Sequence, residues 1–312
     1  MPYAFDPELS AALMMFPEVV VTDLAEARAQ ATRMIAEMSV PDLTGVQVEE
    51  RQVPGGDGDP DLTLRIYRPE QVEARGVVYN VHGGGFILGD LEIDHVRNLE
   101  IAREAGVVVV SVDYRLSPET PHPGPIEDVY AGLVWTAKHA DELGIDPQQI
   151  VIHGVSAGGG LCAGLALLAR DRGGPDIAFQ FLGVPELDDR LNTASMTAFT
   201  DTPLWNRPNA VMSWDCYLGP GVPGSADVSP YAAPARASDL TGLPPAYISV
   251  MHFDPLRDEG ITYAVALLAA GVTTELHLFP GTFHGSAMVA QAEISQRERT
   301  EEIAVLRKAL GL

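Results

Sequence analysis

Ser156 sits inside Gly154-Val155-Ser156-Ala157-Gly158, directly after the β-branched run Ile150-Val151-Ile152 and before an Ala/Leu-rich segment long enough for a helix. A strand that turns sharply into a helix, with serine at the corner, has the pattern of a nucleophile elbow. The corner strains the serine backbone, so the residues two places either side must be small, and glycine at 154 and 158 meets that demand. The string alone arises by chance roughly 0.1 times in a chain of this composition. It therefore needs partners. A serine hydroxyl is a poor nucleophile until a base removes its proton, and acyl transfer passes through an oxyanion that needs N–H donors preset around it.

Each partner has a candidate. His82-Gly83-Gly84-Gly85 follows the apolar run ending at Val81. Consecutive glycines let backbone N–H groups approach an oxygen unobstructed, and this string is expected by chance only about 0.01 times per chain. Gly83 and Gly84 are the expected donors, Ala157 supplies the N–H after the nucleophile, and Gly85 completes the loop. His82 is expected to brace that loop rather than to transfer protons. Of the eight histidines, His284 alone combines a loop setting with the end of the last core strand, where sites assemble in parallel sheets. His252 and His277 read as structural, and His95, His122, His139 and His153 lack that setting. A base needs a carboxylate to hold its tautomer. Asp254 precedes Pro255 in the loop after the strand 246–251, whereas Asp258 and Glu259 fall in a first helical turn, where acids complement the helix dipole. The resulting order, Ser156, Asp254, His284, is the one α/β-hydrolases require.

Such residues must be held by a sheet. Residues 46–53 and 62–67 alternate apolar and polar side chains around the turn formers 54–58, which predicts an antiparallel hairpin. The runs 76–81 and 107–112 are almost wholly apolar, as strands buried on both faces are. Helical patterns over 90–105, 125–143, 258–270 and 287–310, and after Ser156, alternate with strands at 150–153, 177–182, 246–250 and 275–279. That alternation predicts an α/β fold: a mostly parallel central sheet with an N-terminal hairpin and helices on both faces. Residues 1–45 read as helices, one from Pro7 to Met15 and one opening at Asp23 and ending before Pro41. From Pro185 to about Leu240 the alternation stops, as expected of a lid or binding wall with helical patches near Met196 and Pro208.

Composition narrows the partners. A net charge of −23 argues against nucleic acid and anionic membrane surfaces. Two isolated cysteines, Cys162 and Cys216, suggest buried thiols in a reduced compartment. The opening MPYAFDPELS has no basic n-region followed by an apolar run, and no stretch of about 18 residues is free of charges and turn formers. A cytoplasmic location and no membrane span are expected.

The motifs HGGG, DYRLSPE at 113–119, GVSAGG at 154–159, DPLRDEG at 254–260 and the histidine loop together resemble the hormone-sensitive-lipase-like (bacterial family IV) carboxylesterases over most of residues 45–312. The resemblance implies the α/β-hydrolase fold, with residues 1–45 and 185–240 as a helical cap and 46–184 and 241–312 as the catalytic core. It also implies that Asp113, Tyr114 and Arg115 buttress the oxyanion loop, and that the chain is a monomer or a homodimer. Three positions depart from the family pattern: Val155 where Asp or Thr is usual, Ser117 where Ala is usual, and Ser286 where Phe is common.

The expected activity is hydrolysis of short- to medium-chain carboxylic esters through an acyl-enzyme, with no metal or organic cofactor. An amidase or a lactone or carbamate hydrolase would use the same residues. A ligand-binding receptor on this fold would need no working base. Phe86, Trp205, Phe253 and Phe283 flank the motifs or lie in the cap, and are the candidate pocket walls.

Overall fold

Alternating patterns and apolar runs fold as their periods require. The computed structural model describes residues 3–15, 21, 23–36, 41–70 and 75–312. Two helices open the chain, α1 (Pro7–Ala12) and α2 (Leu24–Ala36). The predicted continuation of α2 toward Pro41 lies outside the described residues. The hairpin is present as β1 (Val46–Val53) paired antiparallel with β2 (Leu62–Pro69). Then follow β3 (Val77–Val81), α3 (His95–Ile101), β4 (Val108–Asp113), α4 (Gly124–Lys138), α5 (Ala140–Leu143), β5 (Ile150–Val155), α6 (Ala157–Arg172) and β6 (Phe179–Gly183). After α7 (Ala194–Ala198) and α8 (Arg207–Leu218) the sheet resumes with β7 (Ala246–Phe253), α9 (Arg257–Ala269), β8 (Thr274–Phe283) and α10 (Glu293–Ala309).

The strands form one eight-stranded sheet in the order β1-β2-β4-β3-β5-β6-β7-β8. It is antiparallel from β1 to β4 and parallel from there on. Burial on both sides explains the apolar runs. Val77, Tyr79 and Val81 face a core shared with α4, α6 and α9, while Val78 faces a second core closed by Leu99, Ile303 and Leu306. α6 is buried from Ala157 to Ala169. Small residues on both sides of the turn let β5 and α6 approach: a Cβ at Gly154 would lie 2.3 Å from the Gly158 carbonyl oxygen.

Several helices are shorter than their patterns. The 90–105 segment is helical only from His95, because Asp90 accepts the Glu92 N–H at 2.8 Å and sets a turn first, a local bond that competes with the helix. α10 begins at Glu293 rather than 287. Before it comes a separate short turn, Ser286–Met288, and Val289 and Ala292 are packed with Leu9 and Phe283 under α1. β8 runs longer than predicted. It bulges between its pairings with Met251 and Phe253, and the Phe253–Phe283 pair brings the residues that follow each strand side by side.

The segments 3–45 and 185–240 touch each other. The Val21 N–H donates to Asn209 Oδ1 at 2.9 Å, and Tyr3 packs on Phe199 and Phe253. Cys162 is buried in α6, whereas Cys216 is only half-buried, since it lies on the outer side of α8. Among the described residues no helix is long and apolar enough to cross a membrane.

Candidate active site

The elbow is present at the carboxyl end of β5. Ser156 has φ 60° and ψ −124°, a region an L-residue occupies only when its surroundings enforce it. Backbone bonds enforce it here. The Ser156 N–H donates to the Gly183 carbonyl at 2.8 Å, and its own carbonyl accepts from Gly160 at 3.0 Å and Glu186 at 3.1 Å. Glycine is compulsory alongside, because a Cβ at Gly158 would lie 2.0 Å from the Val81 carbonyl oxygen.

Across the β7 and β8 ends lie the other two predicted residues. His284 Nε2 is 3.0 Å from Ser156 Oγ, and His284 Nδ1 is 2.8 Å from Asp254 Oδ2. Asp254 is buried, and its other oxygen accepts the Leu256 N–H at 2.8 Å. With a carboxylate facing Nδ1, that nitrogen carries the proton and Nε2 is left to accept from the serine. The set can move a proton from Ser156 to His284 without any side chain moving far. Among the described residues no group of His, Cys, Asp and Glu gathers that could hold a metal ion.

The glycine loop closes the remaining side. Within a trans peptide the C=O and N–H point in opposite directions, so a donor on each carbonyl aims the following N–H the other way. The His82 carbonyl accepts from Tyr114 OH at 2.9 Å, which orients the Gly83 N–H. His82 Nδ1 is 2.7 Å from the Gly83 carbonyl, which orients the Gly84 N–H. The Gly84 carbonyl accepts from Ile87 and Leu88 at 3.1 and 2.8 Å. None of the N–H groups of Gly83, Gly84 and Ala157 has a backbone acceptor among the described residues. They stay free for a substrate oxygen. Burial lowers the His82 pKa, so the ring is neutral, and it stacks on Tyr114 at 4.2 Å. A Cβ at Gly83 would meet the Val155 carbonyl oxygen at 2.9 Å, which shows how closely loop and elbow are pressed together.

Known proteins resemble this chain over most of its length. A family model described as alpha/beta hydrolase fold matches residues 77–288. A carboxylesterase NlhH of Mycobacterium tuberculosis is 40% identical over 317 residues, spanning 98% of this chain and 96% of the relative. The chain belongs to the hormone-sensitive-lipase-like carboxylesterases of the α/β-hydrolase fold. An arylesterase of Saccharolobus solfataricus is 32% identical across 89% of this chain and 91% of its own. The solved structure of a bacterial heroin esterase is similar at TM-score 0.96 and 53% identity, covering 98% of each chain.

Not every expected residue of this carboxylesterase lies where the motifs suggest. Tyr114 reaches the glycine loop, but Arg115 does not. Its guanidinium is drawn to the buried Asp128 of α4, at 2.7 and 2.6 Å, and to Asp59 at 2.8 Å, so it clamps α4 to the hairpin. Asp113 ends β4 half-buried and has no hydrogen bond to the loop among the described residues; burial raises its pKa. Of the four candidate pocket walls, Phe86 and Phe283 present no surface. Phe86 stacks on Tyr217 at 4.1 Å, and Phe283 packs with Phe5 and Leu9. Phe253 is half-buried among Tyr3, Phe5 and Phe199. Trp205 is the one set against the site. Its ring lies 5.9 Å from that of His284, and a Cβ at Gly85 would meet it at 2.5 Å.

Of two further residues beside Ser156, one was marked by its departure from the family pattern and the other was missed. Val155 is 38% exposed at the strand end, so the departure from Asp or Thr puts an apolar surface next to the nucleophile. Glu186 is buried directly after β6. Its only sequence signal is an acid following the apolar run Phe181–Pro185, which no motif singles out.

Proposed function

We propose that this chain hydrolyses short- to medium-chain carboxylic esters through an acyl-enzyme, with Ser156 as nucleophile, His284 as base and Asp254 as orienting acid. The observation that carries the reading is the continuous hydrogen-bonded line from Ser156 Oγ through His284 to Asp254. His284 Nε2 takes the hydroxyl proton as Oγ attacks the ester carbonyl carbon. The oxyanion rests on the N–H groups of Gly83, Gly84 and Ala157. Collapse breaks the C–O bond, and His284 passes its proton to the departing alcohol. A water then gives a proton to His284 and attacks the acyl carbon, and the reverse collapse frees the acid and returns the proton to Ser156. The helices of 1–45 and 185–240 act as the cap over this site, with Trp205 and Val155 as walls. The apolar Val155 and the indole favour an uncharged acyl or aryl group there.

Ser156→Ala is expected to lower kcat on p-nitrophenyl butyrate by about 10⁴-fold or more with an unchanged melting temperature, and His284→Asn similarly. Turnover at the parent rate in Ser156→Ala would sink the assignment. Acyl chain lengths, an anilide analogue and heroin itself, the substrate named for the 53% identical relative, complete the panel.

A further inference from the structure

One buried acid takes no part in these steps. Glu186 follows β6; its Oε1 lies 3.1 Å from Ser213 Oγ on α8, and its Oε2 has no partner. Its own N–H donates to the Ser156 carbonyl at 3.1 Å, so its backbone is tied directly to the elbow. Ser213 Oγ also lies 2.8 Å from the Gly85 carbonyl. That carbonyl sits between Gly85 (φ 59°) and Phe86 (φ 61°), where the loop turns through two left-handed residues and most needs anchoring.

The count of protons decides the arrangement. A serine hydroxyl has one proton and cannot donate to two acceptors. Were Glu186 a carboxylate, its charge would claim that proton and strip the Gly85 carbonyl of its donor. A protonated Glu186 serves both contacts: its Oε1–H donates to Ser213 Oγ, and the Ser213 O–H donates to the Gly85 carbonyl, which leaves only the uncharged Oε2 without a partner. Asp254, directly after β7, repels a charge on Glu186 and so favours this form; Glu259 of α9 and the Tyr114 phenol after β4 also face it, and neither brings a positive charge. No guanidinium or ammonium is bonded to it among the described residues. Burial above all, opposed by the Ser213 hydrogen bond and aided by Asp254, pushes its carboxyl up to about 8.

We propose that Glu186 is a neutral acid whose proton commits the Ser213 hydroxyl to the Gly85 carbonyl, so that the cap helix α8 locks the glycine loop. Glu186 and Ser213 are thus positioning residues, and this role rests on the reading of the loop as the oxyanion site.

The test is the pH dependence of kcat and KM on p-nitrophenyl butyrate from about pH 6 to about pH 9.5. The parent enzyme should lose kcat above about pH 8, with KM little changed. Glu186→Ala and Ser213→Ala should each lower kcat about tenfold at neutral pH with KM within about twofold. Glu186→Gln keeps a donor to Ser213 without titrating, so it should rescue kcat to within about threefold of the parent and abolish the alkaline decline. An alkaline decline that survives in Glu186→Gln, or an unaltered kcat in Ser213→Ala, overturns the proposal. Fluorophosphonate titration counts competent sites in each variant, separating misfolding from mispositioning. An infrared difference spectrum at neutral pH should show a protonated-carboxyl band lost in Glu186→Gln, and its absence likewise overturns the idea. Failure of the ester-hydrolase reading would show instead in Ser156→Ala.

Discussion

Around Ser156 the backbone occupies the space and side chains are kept out, whereas beside it, where the chain's opening residues meet the 199–205 segment, side chains fill nearly everything. In the first region a Cβ at Gly84 would meet the Leu88 carbonyl oxygen at 2.1 Å and one at Gly160 the Glu186 carbonyl oxygen at 2.1 Å. In the second, Phe253 lies 5.4 Å from Tyr3, 5.2 Å from Phe5 and 6.1 Å from Phe199, in tilted and edge contacts. Backbone-to-backbone approach tolerates no added atom, since peptide groups cannot change rotamer. Ring clusters give way gradually, each contact contributing on the order of 1 kcal/mol. One region is built for fixed dipoles, the other for adjustable shape.

The sharpest break of this contrast is Gly158→Ala. A methyl 2.0 Å from the Val81 oxygen should destabilise the fold by about 3 kcal/mol or more and leave little soluble enzyme. A variant that expresses and melts like the parent would remove the claim that the elbow is sterically closed.

Next in size is a pH effect on stability. Glu186 is raised from the ordinary 4.5 to about 8 in the folded chain. Between those values the unfolded chain releases a proton that the folded chain keeps, so Glu186 makes stability fall as pH rises through the window and has no such effect outside it. Glu186→Gln should therefore gain on the parent in urea midpoint from about pH 4.5 upward and level off near pH 8. A difference independent of pH would contradict the buried neutral acid.

Tyr114→Phe is milder. It removes the donor to the His82 carbonyl and frees the peptide that carries the Gly83 N–H. A loss of about tenfold in kcat with little change in KM is expected, as for one neutral hydrogen bond. An effect on KM alone would place Tyr114 in substrate binding instead. The aromatic side should respond least. Phe253→Ala should change kcat/KM by about three- to fivefold, unequally across an acyl-chain series, while kcat on the best substrate holds. Equal losses on every ester would mean that the cluster supports the fold rather than the pocket.

The site was legible where chemistry and sterics act over a few residues. The elbow demands glycine at fixed spacing, so Gly154 and Gly158 announce Ser156. The order of Asp254 and His284 follows from parallel strands that open their loops on one edge. The parallel sheet was legible for a similar reason, since strands buried twice over must be apolar throughout. Helix ends read poorly: the apolar pattern runs on from 287, but Ser286–Met288 is a separate short turn and the helix starts only at Glu293.

What the chain alone determined, then, was the sheet, its hairpin and the residues proposed as nucleophile, base, acid and oxyanion loop, because each is dictated by local geometry or by reaction chemistry. Only the tertiary structure decided where longer side chains went. Arg115 directly follows Tyr114, which reaches the loop, yet chooses Asp128, thirteen residues on, since a buried carboxylate outcompetes a distant carbonyl. Phe86 adjoins the glycines yet points into the core. Ser213 joins Gly85 across 128 residues and Glu186 across 27, a contact that no spacing encodes, because it exists only once α8 has packed over the loop.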